Sequence, residues 1–232
     1  MTLPDLYPGL ATRRIATTGA EIHLRTGGQG PGLLLLHGYP QTHVCWHQIA
    51  PQLARQFTLV IPDLRGYGDS AAPATDPQHL TYAKRAMAQD MVAVMAALGH
   101  QRFLLAGHDR GGRVAYRLAL DHPQAVARLV TLDIVPTYNA YLDWTPKDAL
   151  GKFHWPFLAR PAPFPETMIG RDSTHWLEYL FSCWTGSGDL SAFSAEAMQH
   201  YRHHFAKPSM IHANCEDYRA GATCDFANDE AD

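Results

Sequence analysis

Cysteine, long apolar runs and excess charge of either sign are all scarce in this sequence. The four cysteines, Cys45, Cys183, Cys215 and Cys224, form no Cys-x-x-Cys pair and show no framework spacing, which argues against a disulfide scaffold or a zinc ribbon. The most apolar run, GLLLL, is far too short to span a bilayer, and the N-terminus lacks the apolar core of a signal peptide. A net charge of -3 gives no electrostatic reason to bind nucleic acid or an anionic membrane. We therefore expect a cytoplasmic protein with no nucleic-acid or membrane partner.

The sequence does contain an alternation of short apolar strands with helical segments. Hydrophobic residues make up 46% of the 232 residues and charged residues 18%, a composition that can bury a sizeable core. Apolar runs that indicate buried strands lie at 33–38, 58–63, 102–107 and 128–134. Two further strands are expected within 13–25, and helices over 44–55, 82–98 and 111–121. This order predicts an α/β fold with a mostly parallel sheet and helices on both faces.

The composition changes after Pro136. Residues 137–213 are rich in Trp, Tyr, His and Pro and contain no convincing buried strand. We interpret them as a helical cap inserted over the sheet, between a first core part at 1–136 and a return to the core at 214–232. Residues 214–230 are compatible with one more helix.

A sharp turn that carries a carboxylate is predicted at GHDRGGR, residues 107–113, directly after an apolar run. Gly107 and Gly111 flank Asp109 at the Gly-x-X-x-Gly spacing of a nucleophile elbow, where the middle residue is commonly serine. The N–H groups of the following helix start favour an anion at this place. An Asp that only caps the helix is the alternative.

A carboxylate nucleophile forms an ester with an alkyl carbon, which suits displacement of halide or opening of an epoxide. Water must then hydrolyse that ester, which requires a base and an acid that orients it. Asp133, at the end of the next strand, is the candidate acid. Backbone N–H groups of Tyr39 and Arg110 are candidates for the oxyanion hole, and His37 is expected to be structural.

The motifs HGYP, GHDRGGR, LDIVPTY, HW and CEDYRAG occur in that order, and with them the sequence resembles the α/β-hydrolase superfamily, specifically the fluoroacetate dehalogenases. This resemblance implies that Asp109 displaces fluoride and that Asp133 is the acid. It implies that Arg110 and Arg113 bind the substrate carboxylate, a task that suits planar guanidinium groups. Hydrogen-bond donors implied to surround the leaving fluoride are His154, Trp155 and Tyr218. The substrates would be a small haloacid and water, without cofactor or metal, in a homodimer.

Three other functions stay open. Haloalkane dehalogenases share the Asp elbow but usually place Trp after the Asp, where this chain has Arg110. Epoxide hydrolases use cap tyrosines, and this cap contains Tyr138, Tyr141, Tyr179 and Tyr201. A truncated, non-catalytic relative that binds a small carboxylate is the third.

The resemblance also implies a histidine base near the C-terminus, which we expect beyond residue 232 because no His follows Tyr218. The chain is therefore expected to be a fragment or a truncated homologue with an exposed sheet edge and apolar surface. Histidines of the cap region that we do not assign as the base are His175, His200, His203, His204 and His212. A metal site at His43 and His47, or at the cluster 200–204, is not expected, since no third ligand is apparent.

Overall fold

One six-stranded sheet organises the residues described by the computed structural model, which are 3–142 and 144–232. Its strands are β1 (Ala11–Ala16), β2 (Glu21–Gly28), β3 (Gly32–Leu36), β4 (Thr58–Pro62), β5 (Phe103–His108) and β6 (Val126–Leu132). Their spatial order is β1-β2-β4-β3-β5-β6. The first two pairings are antiparallel, whereas β4, β3, β5 and β6 are mutually parallel. The predicted strands and the mostly parallel sheet are confirmed.

Two of the three predicted helices are confirmed, as α2 (Lys84–Ala97) and α3 (Arg110–Asp121). The third, over 44–55, is wrong. That segment forms a 3-10 turn at His43–Trp46 and a short helix α1 at Ala50–Leu53. Pro51 explains the break, because proline lacks an N–H and is tolerated only in the first turn of a helix.

The hydrophobic core lies between the central strands and the helices packed on them. All five residues of β3 are buried, as expected for a parallel strand covered on both faces. Helix α2 contributes Met87, Met91 and Val94 to the core, and α3 contributes Val114 and Leu118. Helix α3 packs against β5 and β6, so the start of α3 is fixed relative to the strand that precedes it.

Helices dominate the chain after β6, as predicted. They are α4 (Thr137–Tyr141), α5 (Pro146–Gly151), α6 (His154–Leu158), α7 (Phe164–Arg171), α8 (Ser173–Trp184), α9 (Ala195–Phe205), α10 (Pro208–Ala222) and α11 (Cys224–Ala231). The expected single helix at 214–230 is wrong, because α10 and α11 are separated at Thr223. The division of the chain at 213 stays a prediction, and α10 runs across it. No helix of the described ranges is long and apolar enough to cross a membrane.

Strand β6 forms the open edge of the sheet. Leu129, Val130 and Leu132 expose 38%, 51% and 41% of their surfaces. The exposed edge and apolar surface that the sequence predicts are therefore present here. The same edge ends at Asp133, so it lies beside the candidate site.

Candidate active site

Asp109 lies on a strained turn between β5 and α3. Its backbone has φ 49° and ψ -120°, a conformation that L residues rarely adopt and that costs on the order of 1–3 kcal/mol. The Asp109 amide donates to Leu132 O at 3.1 Å, and the Arg113 amide donates to Asp109 O at 3.1 Å. These bonds hold the turn between the neighbouring strand and the first turn of α3. The alternative of an ordinary cap is disfavoured, since no side-chain cap bond is formed by Asp109.

Small residues around Asp109 allow this turn to pack. A Cβ atom on Gly107 would lie 2.4 Å from Gly111 O, and one on Gly111 would lie 2.3 Å from His37 O. A Cβ on Gly38 would lie 2.5 Å from the Asp109 Cβ. All three distances are below van der Waals contact. The space that a side chain would need is occupied by backbone atoms at Gly107 and Gly111, and by the Asp109 side chain at Gly38. The glycines therefore serve the close approach of three loops.

The carboxylate of Asp109 meets a backbone donor. The Tyr39 N–H donates to its Oδ1 at 2.8 Å. No hydrogen bond from the Arg110 amide to this carboxylate is present among the described residues, so that half of the oxyanion hole stays a prediction. His37 is buried beneath the loop, where its Nε2 accepts from Leu64 N at 3.0 Å and its Nδ1 contacts Gly38 O. This placement agrees with the structural role expected for His37.

Tyr39 also contacts the cap. Its hydroxyl accepts a hydrogen bond from Trp176 Nε1 of α8 at 2.8 Å. Its ring stacks on His154 at 6.2 Å between centroids and meets Tyr218 edge-on at 5.2 Å. One residue thus contacts the candidate nucleophile through its backbone and three cap or α10 side chains through its ring and hydroxyl.

Arg110 is buried and paired with a carboxylate that the sequence analysis did not single out. Its Nε lies 3.2 Å from each carboxylate oxygen of Asp217, and its Nη2 donates to Asp217 Oδ1 at 2.5 Å. Burial opposes ionisation, yet the Asp217 charge holds the pKa of Arg110 well above its usual value. Asp217 also accepts from Lys84 Nζ and from Tyr67 Oη. The Cζ of Arg110 lies 4.2 Å above the ring of Tyr218.

Arg113 is buried too, but it has no carboxylate within ion-pair distance among the described residues. Its Nη1 donates to Thr137 Oγ1 at 2.7 Å, its Nε is buried without a partner, and its Cζ lies 4.7 Å from the Trp155 ring centre. Burial and the neighbouring Arg110 charge lower the pKa of Arg113. A buried guanidinium without a counter-ion is unfavourable, so the assignment of Arg113 to the substrate carboxylate stays a prediction that this burial favours.

The three residues expected around the leaving group are brought together by α6 and α10. His154 and Trp155 begin α6, and Tyr218 lies on α10. The His154 ring is 5.7 Å and the Trp155 ring 6.3 Å from the Tyr218 ring. Burial, and secondarily Arg110, lower the pKa of His154 to about 3. His154 is therefore neutral at physiological pH, and its Nδ1 is buried without a partner.

A cavity of about 380 Å³ opens in front of Asp109. Predicted site residues among its lining are Tyr39, Asp109, Asp133, His154 and Trp155. The same wall contains residues that were not predicted from the sequence, namely Gln41, His108, Lys152, Phe181, Trp184 and Phe193. His108 had a usable signal, since it directly precedes Asp109 at the end of β5. The aromatic residues of α8 had none, because cap helices bring them in from a distance along the chain.

Asp133 follows β6 directly and has φ 50°. Its side chain lines the same cavity as Asp109 and forms no hydrogen bond with another described residue. The structure therefore places both predicted carboxylates at the carboxyl end of adjacent parallel strands, where sites of such sheets form.

Two buried histidines, His23 and His43, share the carboxylate of Asp63. Their Nδ1 atoms lie 3.0 and 2.9 Å from its oxygens, so His43 has further candidate metal ligands that the sequence did not indicate. The His43 and Asp69 amides donate to the same carboxylate. Four donors therefore occupy Asp63, and hydrogen bonding alone accounts for the cluster. His47 instead contacts Val44 O.

The chain is similar to known proteins along nearly its whole length. The profile of the α/β hydrolase fold family matches residues 31–226. The chain is 44% identical over 227 residues to a fluoroacetate dehalogenase from a Burkholderia species, covering 98% of this chain and 74% of that protein. It is 34% identical to a soluble epoxide hydrolase from a Corynebacterium species, covering 90% and 72%. A solved α/β hydrolase from Nostoc sp. PCC 7120 superimposes with a TM-score of 0.94 at 51% identity, covering 96% and 76%.

These matches extend across the sheet, the elbow and the cap. The resemblance to fluoroacetate dehalogenases that the sequence motifs indicate is confirmed at the level of sequence identity. This chain belongs to the α/β hydrolase fold family.

Proposed function

We propose that this protein is a hydrolytic dehalogenase of fluoroacetate and related haloacetates. The observation that carries the proposal is the buried guanidinium of Arg113, one helical turn after Asp109, which has no carboxylate within ion-pair distance among the described residues. A small carboxylate supplies the missing anion and at the same time points its halogenated carbon at Asp109. Catalysis by positioning of this kind requires no cofactor. The relative from Burkholderia, at 44% identity, supports the same substrate class.

The first step is a displacement at saturated carbon. An Asp109 carboxylate oxygen attacks the halogenated carbon, a C–O bond forms, and the C–F bond breaks with its electron pair leaving as fluoride. The oxygen that accepts from the Tyr39 N–H at 2.8 Å is held, so the other oxygen is available for attack. Trp155 and Tyr218 offer N–H and O–H donors to the departing fluoride, and the neutral His154 is a third donor. Donors aimed at developing charge are the main source of stabilisation for such a step.

The second step is hydrolysis of the aspartyl ester. Water attacks the ester carbonyl carbon and gives one proton to an imidazole base, the histidine that the family resemblance implies and that Asp133 would orient. The acyl C–O bond then breaks as the imidazolium returns that proton to the leaving oxygen. Glycolate departs, and the Asp109 carboxylate and the neutral imidazole are regenerated. The Tyr39 N–H, already directed at Oδ1, stabilises the oxyanion that forms on that oxygen. Asp133 lines the cavity on the same side, which supports this assignment.

Epoxide hydrolysis is the second candidate, supported by the Corynebacterium relative at 34% identity. Such a reaction needs a cap tyrosine to protonate the epoxide oxygen. The four tyrosines of this region, Tyr138, Tyr141, Tyr179 and Tyr201, are not among the residues that line the cavity. The same is true of Arg110, Arg113 and Tyr218, so the lining alone does not decide between the two reactions. The buried guanidinium of Arg113, which has no carboxylate within ion-pair distance among the described residues, favours an anionic substrate over a neutral epoxide.

Intact mass after incubation with fluoroacetate and, separately, bromoacetate tests the proposal, with released halide counted in the same tubes. We expect a mass increase at Asp109 or release of more than one halide per chain. Asp109→Asn should give neither. Halide release that persists in Asp109→Asn, or a protein that opens styrene oxide but leaves both haloacetates intact, contradicts the proposal.

We also propose that the protein acts in the cytoplasm as a homodimer. The four cysteines are unpaired, which supports a reducing compartment. The dimer rests on the family resemblance. Light scattering coupled to size exclusion tests it, and a monomer at micromolar concentration contradicts it.

A further inference from the structure

Several polar atoms around the proposed carboxylate position are buried and have no hydrogen-bond partner among the described residues. They are Arg110 Nη1, Arg113 Nε, His154 Nδ1 and Tyr141 Oη. Buried polar groups in folded proteins are nearly always bonded, and each exception calls for an explanation. Three of these residues already have a place in the proposed reaction. The fourth, Tyr141, has none.

Tyr141 lies beside Arg113 because of the geometry of α4. Thr137, which accepts from Arg113 Nη1 at 2.7 Å, opens this helix, and Tyr141 is four residues later. Residues four apart share one helix face. The side chains of Tyr141 and Arg113 also share a neighbour, Trp155. The centre of its ring lies 5.2 Å from the Tyr141 ring and 4.7 Å from Arg113 Cζ.

The electrostatic surroundings agree with this placement. Burial raises the pKa of Tyr141, the charges of Arg110 and Arg113 oppose that shift, and those of Asp217 and Asp225 add to it. Both guanidiniums are therefore near enough to act on the hydroxyl. Guanidinium groups offer donors only, so neither arginine supplies an acceptor for the Tyr141 O–H. The hydroxyl has no partner among the described residues, so its proton is available to an added acceptor.

A carboxylate has enough lone pairs to accept from Arg113 and from a neighbouring hydroxyl at the same time. We infer that the Tyr141 hydroxyl donates a hydrogen bond to the substrate carboxylate, next to Arg113, and thereby helps the site to select acids over neutral analogues. A carboxylate accepts up to about four hydrogen bonds. A carboxamide presents an NH2 group in place of one oxygen, and that group faces donors. This inference rests on the proposed function and identifies a further residue for its specificity.

The test compares Tyr141→Phe with two matched tyrosine variants. In Tyr116→Phe the lost hydroxyl is a bonded one, 2.6 Å from Asp229 Oδ2 and 2.8 Å from Thr137 Oγ1. In Tyr179→Phe it belongs to an exposed cap residue. The probes are acetate and acetamide, measured by calorimetry, because neither contains a halogen and binding is then separate from turnover. Thermal midpoints without ligand are measured on the same samples.

We expect Tyr141→Phe to raise the Kd for acetate about tenfold, the effect of one hydrogen bond to a charged group. Acetamide binding should not change, and the thermal midpoint without ligand should stay equal or rise, since an unbonded buried hydroxyl is lost. Tyr116→Phe should lower the midpoint. Tyr179→Phe should change neither quantity.

An acetate Kd that is the same in wild type and Tyr141→Phe overturns the inference, as does an equal loss of acetate and acetamide binding or a lower midpoint without ligand. A wild type that does not bind acetate overturns it as well. The proposed function is judged separately, by halide release from bromoacetate. Acetate binding that depends on Tyr141, in a protein that releases no halide, would retain the carboxylate site and reject the dehalogenase.

Discussion

The carboxylate of Asp217 holds the guanidinium of Arg110, with Arg110 Nε at 3.2 Å from each carboxylate oxygen and Nη2 at 2.5 Å from Oδ1. The two residues are 107 positions apart in the chain. Arg110 therefore enters the site with its charge largely compensated, whereas Arg113 enters without a counter-ion. Two arginines that look equivalent in the sequence thus differ in what they offer to a substrate.

Asp217→Asn is expected to destabilise the fold strongly. The amide cannot neutralise Arg110 or Lys84, and loss of one partner of a buried ion pair costs about 3–5 kcal/mol. Urea unfolding should show this loss in the free energy of unfolding. The control is Glu21→Gln, whose ion pair with Arg14 is half-exposed. It should change stability by less than about 0.5 kcal/mol. Equal effects of the two substitutions would contradict the buried network.

Arg113→Ala is expected to reduce halide release from bromoacetate on the order of 100-fold, because two charge-assisted hydrogen bonds are lost. Release from bromoacetamide should fall far less. Arg113→Lys should not restore the rate, since an ammonium group cannot reproduce a planar two-donor contact. The measurement is the initial rate of bromide release with each substrate. A parallel loss for acid and amide would show that Arg113 supports the fold and not the carboxylate.

Gly111→Ala is expected to damage the elbow. A Cβ there would lie 2.3 Å from His37 O and 2.7 Å from Leu36 O, and backbone atoms cannot move aside without cost. We expect a loss of more than about 2 kcal/mol in the free energy of unfolding. The matched control is Gly170→Ala in α7, where no atom lies within 4 Å of the new Cβ. Because Ala favours the helix more than Gly does, this substitution should increase the free energy of unfolding by at most about 1 kcal/mol.

His154 should contribute a measurable pH dependence to stability. Burial, and then Arg110, lower its pKa to about 3 in the folded protein, whereas an unfolded His titrates near about 6.5. The unfolded chain therefore binds the extra proton first, so this stability is complete above about pH 6.5 and declines as the pH falls toward 3. In a plot of the free energy of unfolding against pH, His154→Phe should have a smaller slope than the wild type in this range, by an amount that corresponds to at most one bound proton. Equal slopes for the two proteins between pH 7 and 5 would show that His154 is accessible to protons when folded.

Most of the correct predictions rest on residues that are close together in the sequence. The apolar runs predict the strands, and the spacing of Gly107, Asp109 and Gly111 predicts the strained turn, because a strand, a turn and a helix start are consecutive in the chain. Proline at position 51 was the exception, since the 44–55 pattern resembled one helix and Pro51 divides it.

Long-range pairs could not be predicted in the same way. Nothing near Arg110 in the sequence indicates Asp217, although the CEDYRAG motif that contains it carried the family resemblance. Arg113 is likewise in contact with two residues that are distant in the sequence, Trp155 and Thr137. Such contacts are set by how the cap lies on the sheet, and spacing alone contains no measure of that distance.

Tyr39 is hydrogen-bonded both to the candidate nucleophile and to a helix that follows β6. Its amide serves the Asp109 carboxylate, and its hydroxyl is bound by Trp176 of the cap. One residue thus connects the Asp109 carboxylate to helix α8. A displacement of Trp176 must either break its bond to the Tyr39 hydroxyl or move Tyr39 itself, whose amide holds Asp109 Oδ1.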